Sequence, residues 1–223
     1  MQTKLCKADE ESLLLAARLI AEGEVVGFPT ETVYGLGADA LNEAAVRKIF
    51  AAKQRPADNP LIVHIADTAA LDGLVQRVPP AAQALMAAYW PGPMTLLFPR
   101  KKEIPDVTTA GLDTVGIRLP AHPVARALIR RAGVPIAAPS ANRSGRPSPT
   151  TARRVMEDMQ GRIPLILDGG ACEVGVESTF IDATGEIPVI LRPGGVTPEM
   201  IRRVCGGVRV EAKNQFYLSI AYP

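Results

Sequence analysis

Short apolar runs alternate with longer amphipathic ones along most of this chain. That alternation is the strongest constraint on its fold. Residues 25–28, 61–65, 94–98, 115–119, 135–138, 165–167, 178–182 and 189–191 read as buried strands. Helical patterns fall between them. Asp9 is placed to cap a helix that runs to about Glu22, with Gly23 as its stop. Asn42 is placed to cap another that runs to about Gln54. Further helices are expected over 68–76, 80–89, 123–132, 150–160 and 198–204. Interleaved strands and helices argue for an α/β domain. The strands cluster near the middle and the end rather than in a clean βαβ repeat, so a twisted mixed sheet is expected rather than a parallel one. A single domain over 1–207 is expected, followed by a tail over 208–223.

The strand at 25–28 runs into Pro29-Thr30-Glu31-Thr32-Val33-Tyr34-Gly35-Leu36-Gly37, a stretch of hydroxyls and glycines that precedes the helix at Asn42. A strand that empties into a polar loop is how α/β proteins build ligand sites. A second such loop, from Ala138 through Ser140, Asn142 and Arg146 to Thr150, follows the strand at 135–138. Two polar loops in an otherwise apolar chain point to one composite site.

Composition narrows the rest. The chain is 47% hydrophobic and 22% charged, with a net charge of +2. That balance argues neither for nor against nucleic acid. The cations cluster, however: Arg143, Arg146, Arg153 and Arg154 form one group, and Arg47, Lys48, Lys53 and Arg55 another. Basic groups beside polar loops favour an anionic ligand, although Arg47, Lys48, Arg153 and Arg154 read better as cations on solvated helix faces. Three scattered cysteines, no CxxC and two histidines argue against structural zinc and for a reducing, cytoplasmic setting. The polar start of the chain does not read as a signal peptide, and no apolar run is long enough to cross a membrane.

Several residues stand out singly. Gly35-Leu36-Gly37-Ala38-Asp39-Ala40 matches the dinucleotide fingerprint, but the polar residues from Pro29 to Tyr34 separate it from its strand, so the fit is poor. Lys53 and Arg55 flank the point where Pro56 ends a helix. Both could turn toward one anion, or both could simply decorate a helix C-terminus. His64 lies within an apolar strand, where a lone histidine is most often a hydrogen-bonded core residue, yet it sits near the polar loops. Arg118 also lies in an apolar strand, and a buried arginine needs an anionic partner from the protein or a ligand. Arg192 ends a strand, and Ser178 and Thr179 begin one.

Together these residues carry a resemblance. FPTETVYGLG (28–37), KQRPADNPLIVHI (53–65), WPGPMTLLF (90–98), GLDTVGIRLPAHP (111–123), PIAAPSANRSGRPSPT (135–150), GVESTFID (175–182) and ILRPG (190–194) resemble, in order, the YrdC/Sua5 family of threonylcarbamoyl-AMP synthases. The resemblance implies a single YrdC-like α/β domain, its twisted sheet flanked by helices around a positively charged cavity. It implies synthesis of L-threonylcarbamoyladenylate and pyrophosphate from L-threonine, bicarbonate or CO2, and ATP with Mg²⁺. The product would serve N6-threonylcarbamoyladenosine formation at position 37 of tRNAs reading ANN codons, through a separate transferase complex. tRNA or double-stranded RNA is a further implied partner.

Carried over by motif, Thr32, His64, Arg118, Ala138 and Ser178 are expected to contact threonine, with Arg118 as the carboxylate clamp. Lys53, Arg55, Asn59, Thr114, Ser140, Asn142, Ser148 and Arg192 are expected to contact the nucleotide, and Lys53 and Arg55 to be catalytic. No carboxylate in these motifs stands out as a general base. Longer Sua5 members continue into a linker and a C-terminal domain; no such segment is read here, so a single-domain, YrdC-type member and a shortened form of a longer chain are both open. The alternatives are an RNA-binding module built on the basic cavity and a related enzyme that handles carbamoyl-adenylate.

Overall fold

In the computed structural model, which describes residues 1–211, the chain folds around one eleven-stranded mixed sheet. In chain order the strands are β1 Lys4–Lys7, β2 Val26–Phe28, β3 Gly35–Asp39, β4 Ile62–His64, β5 Met94–Pro99, β6 Thr114–Arg118, β7 Ile136–Ala137, β8 Leu165–Asp168, β9 Thr179–Asp182, β10 Val189–Arg192 and β11 Arg209–Val210. The helices are α1 Glu10–Ala21, α2 Glu43–Lys53, α3 Leu71–Leu74, α4 Pro80–Tyr89, α5 Asp106–Thr109, α6 Pro123–Ala132, α7 Ala152–Met159 and α8 Pro198–Cys205. The sheet order is β1-β8-β2-β3-β7-β4-β6-β5-β9-β10-β11. β1 and β2 flank β8 in parallel, and the pairs β4/β6, β5/β9 and β10/β11 are also parallel, whereas β3 and β7 run antiparallel to their neighbours.

The expected caps hold the helices. Asp9 accepts from the Ser12 amide and Asn42 from the Ala45 amide, so each satisfies one of the orphan donors of a first turn. His122 caps α6 through Nδ1, which accepts from the Val124 amide. Four cations read as helix-face residues lie on those faces: Arg47 pairs with Glu43, Lys48 with Glu24, and Arg153 and Arg154 with Glu157.

Several elements depart from the sequence reading. β1 is short and mostly exposed, and its charged ends hide a strand period. The helix expected over 68–76 is a 3₁₀ turn followed by the single turn of α3. The segment after Tyr34 is not a loop leading to a helix. Gly35–Asp39 is a strand that folds back antiparallel on β2, which also removes the dinucleotide fingerprint, since its glycines lie in an extended ladder and not in a phosphate turn. The absence of side chains at Gly35 and Gly37 makes room there for the Phe28 ring: a Cβ on Gly37 would lie 2.6 Å from that ring. β11 pairs with β10 within the segment expected as a tail. Residues 212–223 of that segment lie outside the described residues.

Two cores occupy opposite faces of the sheet. Leu36, Val63, Leu96, Ile117, Ile166 and Ile181 point to the larger core, with α2, α4, α7 and α8 packed on it. Val26, Phe28, Ile136, Leu165 and Leu167 point the other way, beneath α1 and α6. Strand alternation carries that second face onward through Ile62 and His64, Gly116 and Arg118, Thr95, Phe180 and Arg192, as the pairings His64↔Arg118, Thr95↔Arg118 and Arg192↔Phe180 require. Here the face changes from apolar to polar. Among the described residues, no helix is long and apolar enough to cross a membrane.

The turn after β10 lies against the start of β9. A Cβ on Gly194 would sit 2.3 Å from the Glu177 carbonyl oxygen and 2.4 Å from the Thr179 nitrogen, both backbone atoms. Gly194→Ala should therefore cost about 1–3 kcal/mol and lower the thermal midpoint by roughly 2–4 °C per kcal/mol. Gly73→Ala, where nothing lies within 4 Å of the added carbon, should leave the midpoint unchanged or raised in the same melting experiment.

Candidate functional site

The stretch from Pro29 to Gly37 is buried, so its polar groups must find partners inside the protein. Thr30 Oγ1 donates to the Val33 carbonyl at 2.6 Å. Thr32 Oγ1 lies 2.9 Å from Thr30 Oγ1 and must be the donor there, because the one hydroxyl hydrogen of Thr30 is already used. Thr32 in turn accepts from Arg118 Nη1 at 2.9 Å. The chain of donors therefore starts at the Arg118 guanidinium and ends on a backbone carbonyl. The two polar loops also meet, as the sequence implied: Tyr34 and Ala141 exchange backbone bonds with the opposite loop, and Gly35 bridges Ser140.

Arg118 has the anion its burial calls for. Its Nη2 lies 2.7 Å from Glu31 Oε1, an ion pair whose N–H points off the line of a hydrogen bond. Burial would push the Glu31 carboxyl up, but the Arg118 charge beside it holds it below the usual carboxylate range. The sequence reading missed Glu31. The rule that a buried arginine needs an anion pointed to such a group, and Glu31 was the acid within the first polar loop.

The second cationic group stands at the end of β10. Arg192 is 3% exposed and donates to the Ser178 carbonyl through Nε and Nη2 and to Ser178 Oγ through Nη2. Its Nη1 pairs with Glu177, whose other oxygen accepts from Ser148 Oγ at 2.8 Å. Glu177 was also missed. It ties together two residues expected to touch the nucleotide. Asp158, another acid not anticipated, accepts from the Arg143 amide and from Arg146 Nη1 at 2.6 Å and so fastens the second loop to α7.

Lys53 and Arg55 part company at the end of α2. Gln54 takes the left-handed conformation, with φ of 54°, and turns the chain between them. Lys53 Nζ is buried against the Ser140 carbonyl, the Asn142 carbonyl at 2.6 Å and Asn142 Oδ1 at 3.4 Å. Burial, and then the Arg55 charge, bring its ammonium down to about 7. The three oxygens around it favour the charged form. Arg55 keeps a buried Nη2 with no protein partner. His64 is 4% exposed, with Nδ1 unpartnered and its ring edge-on to Phe28. Burial, and then the neighbouring Arg118 charge, bring the imidazole down to about 3, so it is neutral at physiological pH.

Two adjoining cavities collect these groups. The smaller, of about 40 Å³, is lined by Thr32, His64, Arg118, Ala138 and Ser178, all five of the expected threonine contacts. The larger, of about 1160 Å³, is lined by Lys53, Asn59, Asn142 and Ser148, with Asp58, Arg146 and Glu211 at its wall. Arg55, Ser140, Glu177, Arg192 and Val33 line both. The larger wall carries both signs, the cations Lys53, Arg55, Arg146 and Arg192 and the acids Asp58, Glu177 and Glu211. Thr114 lines neither cavity. It begins β6 and pairs with Pro99, and the parallel register of β6 on β4, with Gly116 opposite Ile62, runs it alongside the segment that carries Asn59.

Among the described residues, no group of three or more His, Cys, Asp or Glu could hold a metal ion, and the three cysteines are unpaired. Burial pushes the Cys172 thiol up to about 11, which makes it a poor nucleophile.

This geometry has known counterparts. The chain is 53% identical over 204 residues to threonylcarbamoyl-AMP synthase of Pyrococcus abyssi, a match that takes in 92% of this chain and 60% of the relative. It is 54% identical to threonylcarbamoyl-AMP synthase of Bacillus subtilis, over 91% of this chain and 59% of that one. A crystal structure of P. abyssi Sua5 complexed with L-threonine superposes with a TM-score of 0.91 at 52% identity, covering 94% of this chain and 63% of that chain. The chain thus spans about three fifths of the length of these relatives. Residues 18–194 match the Sua5, YciO and YrdC family model, whose description is telomere recombination, and the chain belongs to this family.

Proposed function

We propose that this domain makes L-threonylcarbamoyladenylate from L-threonine, bicarbonate or CO2, and ATP, and releases pyrophosphate. The observation that carries the reading is the pair of adjoining cavities. One has a buried guanidinium, a hydroxyl chain and a neutral imidazole at its floor. The other is large enough for a nucleotide and carries cations on its wall. The relatives named threonylcarbamoyl-AMP synthase and the threonine complex of P. abyssi Sua5 support the same reading.

In this reading the threonine carboxylate adds to the Arg118–Thr32 end of the small cavity, and the α-amine faces the neck between the cavities. The neutral amine attacks the carbon of CO2 and loses one proton, giving a carbamate. An α-amino group titrates near 8, so a reactive fraction exists at neutral pH without a dedicated base. A carbamate oxygen then attacks the α-phosphorus, and the bond to pyrophosphate breaks. Every reactant is anionic, so the work of the residues is to gather and align negative charge. Arg55 and Arg192 line both cavities and so stand where carbamate and phosphate meet. Ser140, Asn142, Asn59 and Ser148 border the nucleotide side. Mg²⁺ would come with the phosphates, held by their oxygens and not by a cluster of protein ligands, and would help the leaving group. The product would pass, in the cytoplasm, to a transferase complex acting on adenosine 37 of tRNAs reading ANN codons.

Pyrophosphate release should require ATP, Mg²⁺, bicarbonate and L-threonine together. Serine and glycine should support it poorly, and a threonylcarbamoyl-adenylate mass should appear; release that ignores threonine would refute the reading. Arg55→Ala should lower turnover by about 10²-fold or more in that assay. Arg118→Ala should abolish threonine binding in a titration and, by leaving Glu31 buried without its partner, cost about 3–5 kcal/mol of stability. Affinity for ATP without threonine should fall as pH rises from 6 to 8, because Lys53 gives up its proton near 7. Lys53→Met should remove that step, and His64 should add none, since it is already neutral throughout.

A further inference from the structure

In its charged form Lys53 has three N–H donors, and the second polar loop takes all of them. The Ser140 carbonyl, the Asn142 carbonyl and Asn142 Oδ1 surround Nζ. The backbone makes the same connection, because the Lys53 carbonyl accepts from the Ser144 amide at 3.2 Å. Lys53 thus grips the loop from both ends of the residue.

The loop is knitted around that grip. Ser140 Oγ donates to Asn142 Oδ1 at 2.6 Å, and Asn142 Nδ2 donates to the carbonyls of Arg143, at 3.0 Å, and Arg146, at 2.6 Å. Asp158 holds the far side. No donor on Lys53 is left for a phosphate. Its neighbour differs: Arg55 lines both cavities and has a buried guanidinium nitrogen with no protein partner.

We infer that Lys53 is a positioning residue, the clamp that gives the loop 140–148 its shape, and that Arg55 alone of the pair meets the phosphates. The inference deepens the nucleotide reading above and rests on it only for the role of Arg55. A direct phosphate ligand would have to break three bonds in a buried place to reach its target. A clamp works by staying where it is.

Hydrogen exchange on the full chain without nucleotide, paired with ATP titrations at several salt concentrations, tests this. Lys53→Met should speed exchange of the amides between 140 and 148 at least tenfold and weaken ATP binding, while the salt dependence of the remaining affinity stays as in the wild type. Arg55→Ala should leave loop exchange unchanged and flatten the salt dependence, since a cation facing the phosphates is lost. Wild-type loop exchange in Lys53→Met, together with a flattened salt dependence, would overturn the inference.

If Lys53→Met does not fold, Lys53→Arg decides. It keeps the charge but not the three-point geometry, so faster loop exchange supports the clamp and unaltered exchange refutes it. A wild-type chain that binds no ATP would sink the nucleotide reading, while the exchange measurements would still decide whether Lys53 holds the loop.

Discussion

The site depends on one costly act, the burial of the Arg118 guanidinium within the sheet. A charge taken from water must be met by an anion and by hydrogen-bond acceptors, or the fold loses several kcal/mol. Glu31 supplies the anion, and Thr32, backed by Thr30 and a carbonyl, supplies an acceptor. To deliver both, the stretch after β2 has to be drawn inward instead of looping through solvent, and β3 has to return it along the same sheet. The polar floor of the small cavity follows from this one requirement.

The same logic recurs around it. Arg192 is met by Glu177 and Ser178, Arg146 by Asp158, and Lys53 by carbonyls of the second loop. Each acid neutralises a cation and also joins two segments: Glu177 links β10 to the second loop, and Asp158 links that loop to α7. Before any ligand enters, the walls are held in place by charge pairs. A nucleotide then meets donors already oriented, which lowers the ordering cost of binding.

Much of this was readable in advance. Helix caps at Asp9 and Asn42, the strand cores and the meeting of two polar loops follow from patterns local to the chain. The residues flanking the threonine side came through the family resemblance and fall together in the small cavity. What escaped was long-range. Glu31, Glu177 and Asp158 look like ordinary acids in sequence, and only the pairing of distant strands and loops sets arginines against them. β3 was hidden because its glycines imitate a loop, although they serve close packing against Phe28.

The central strands serve two purposes with one alternation. In β4, Val63 belongs to the main core while His64 faces the cavity; in β6, Ile117 and Arg118 divide the same way. A single inserted or deleted residue in either strand would exchange these roles, turning a cation toward the core and an aliphatic chain toward the ligand. The spacing from Ile62 to His64 and from Gly116 to Arg118 is therefore a fixed frame, and length can change without exchanging the two faces only in the connecting segments.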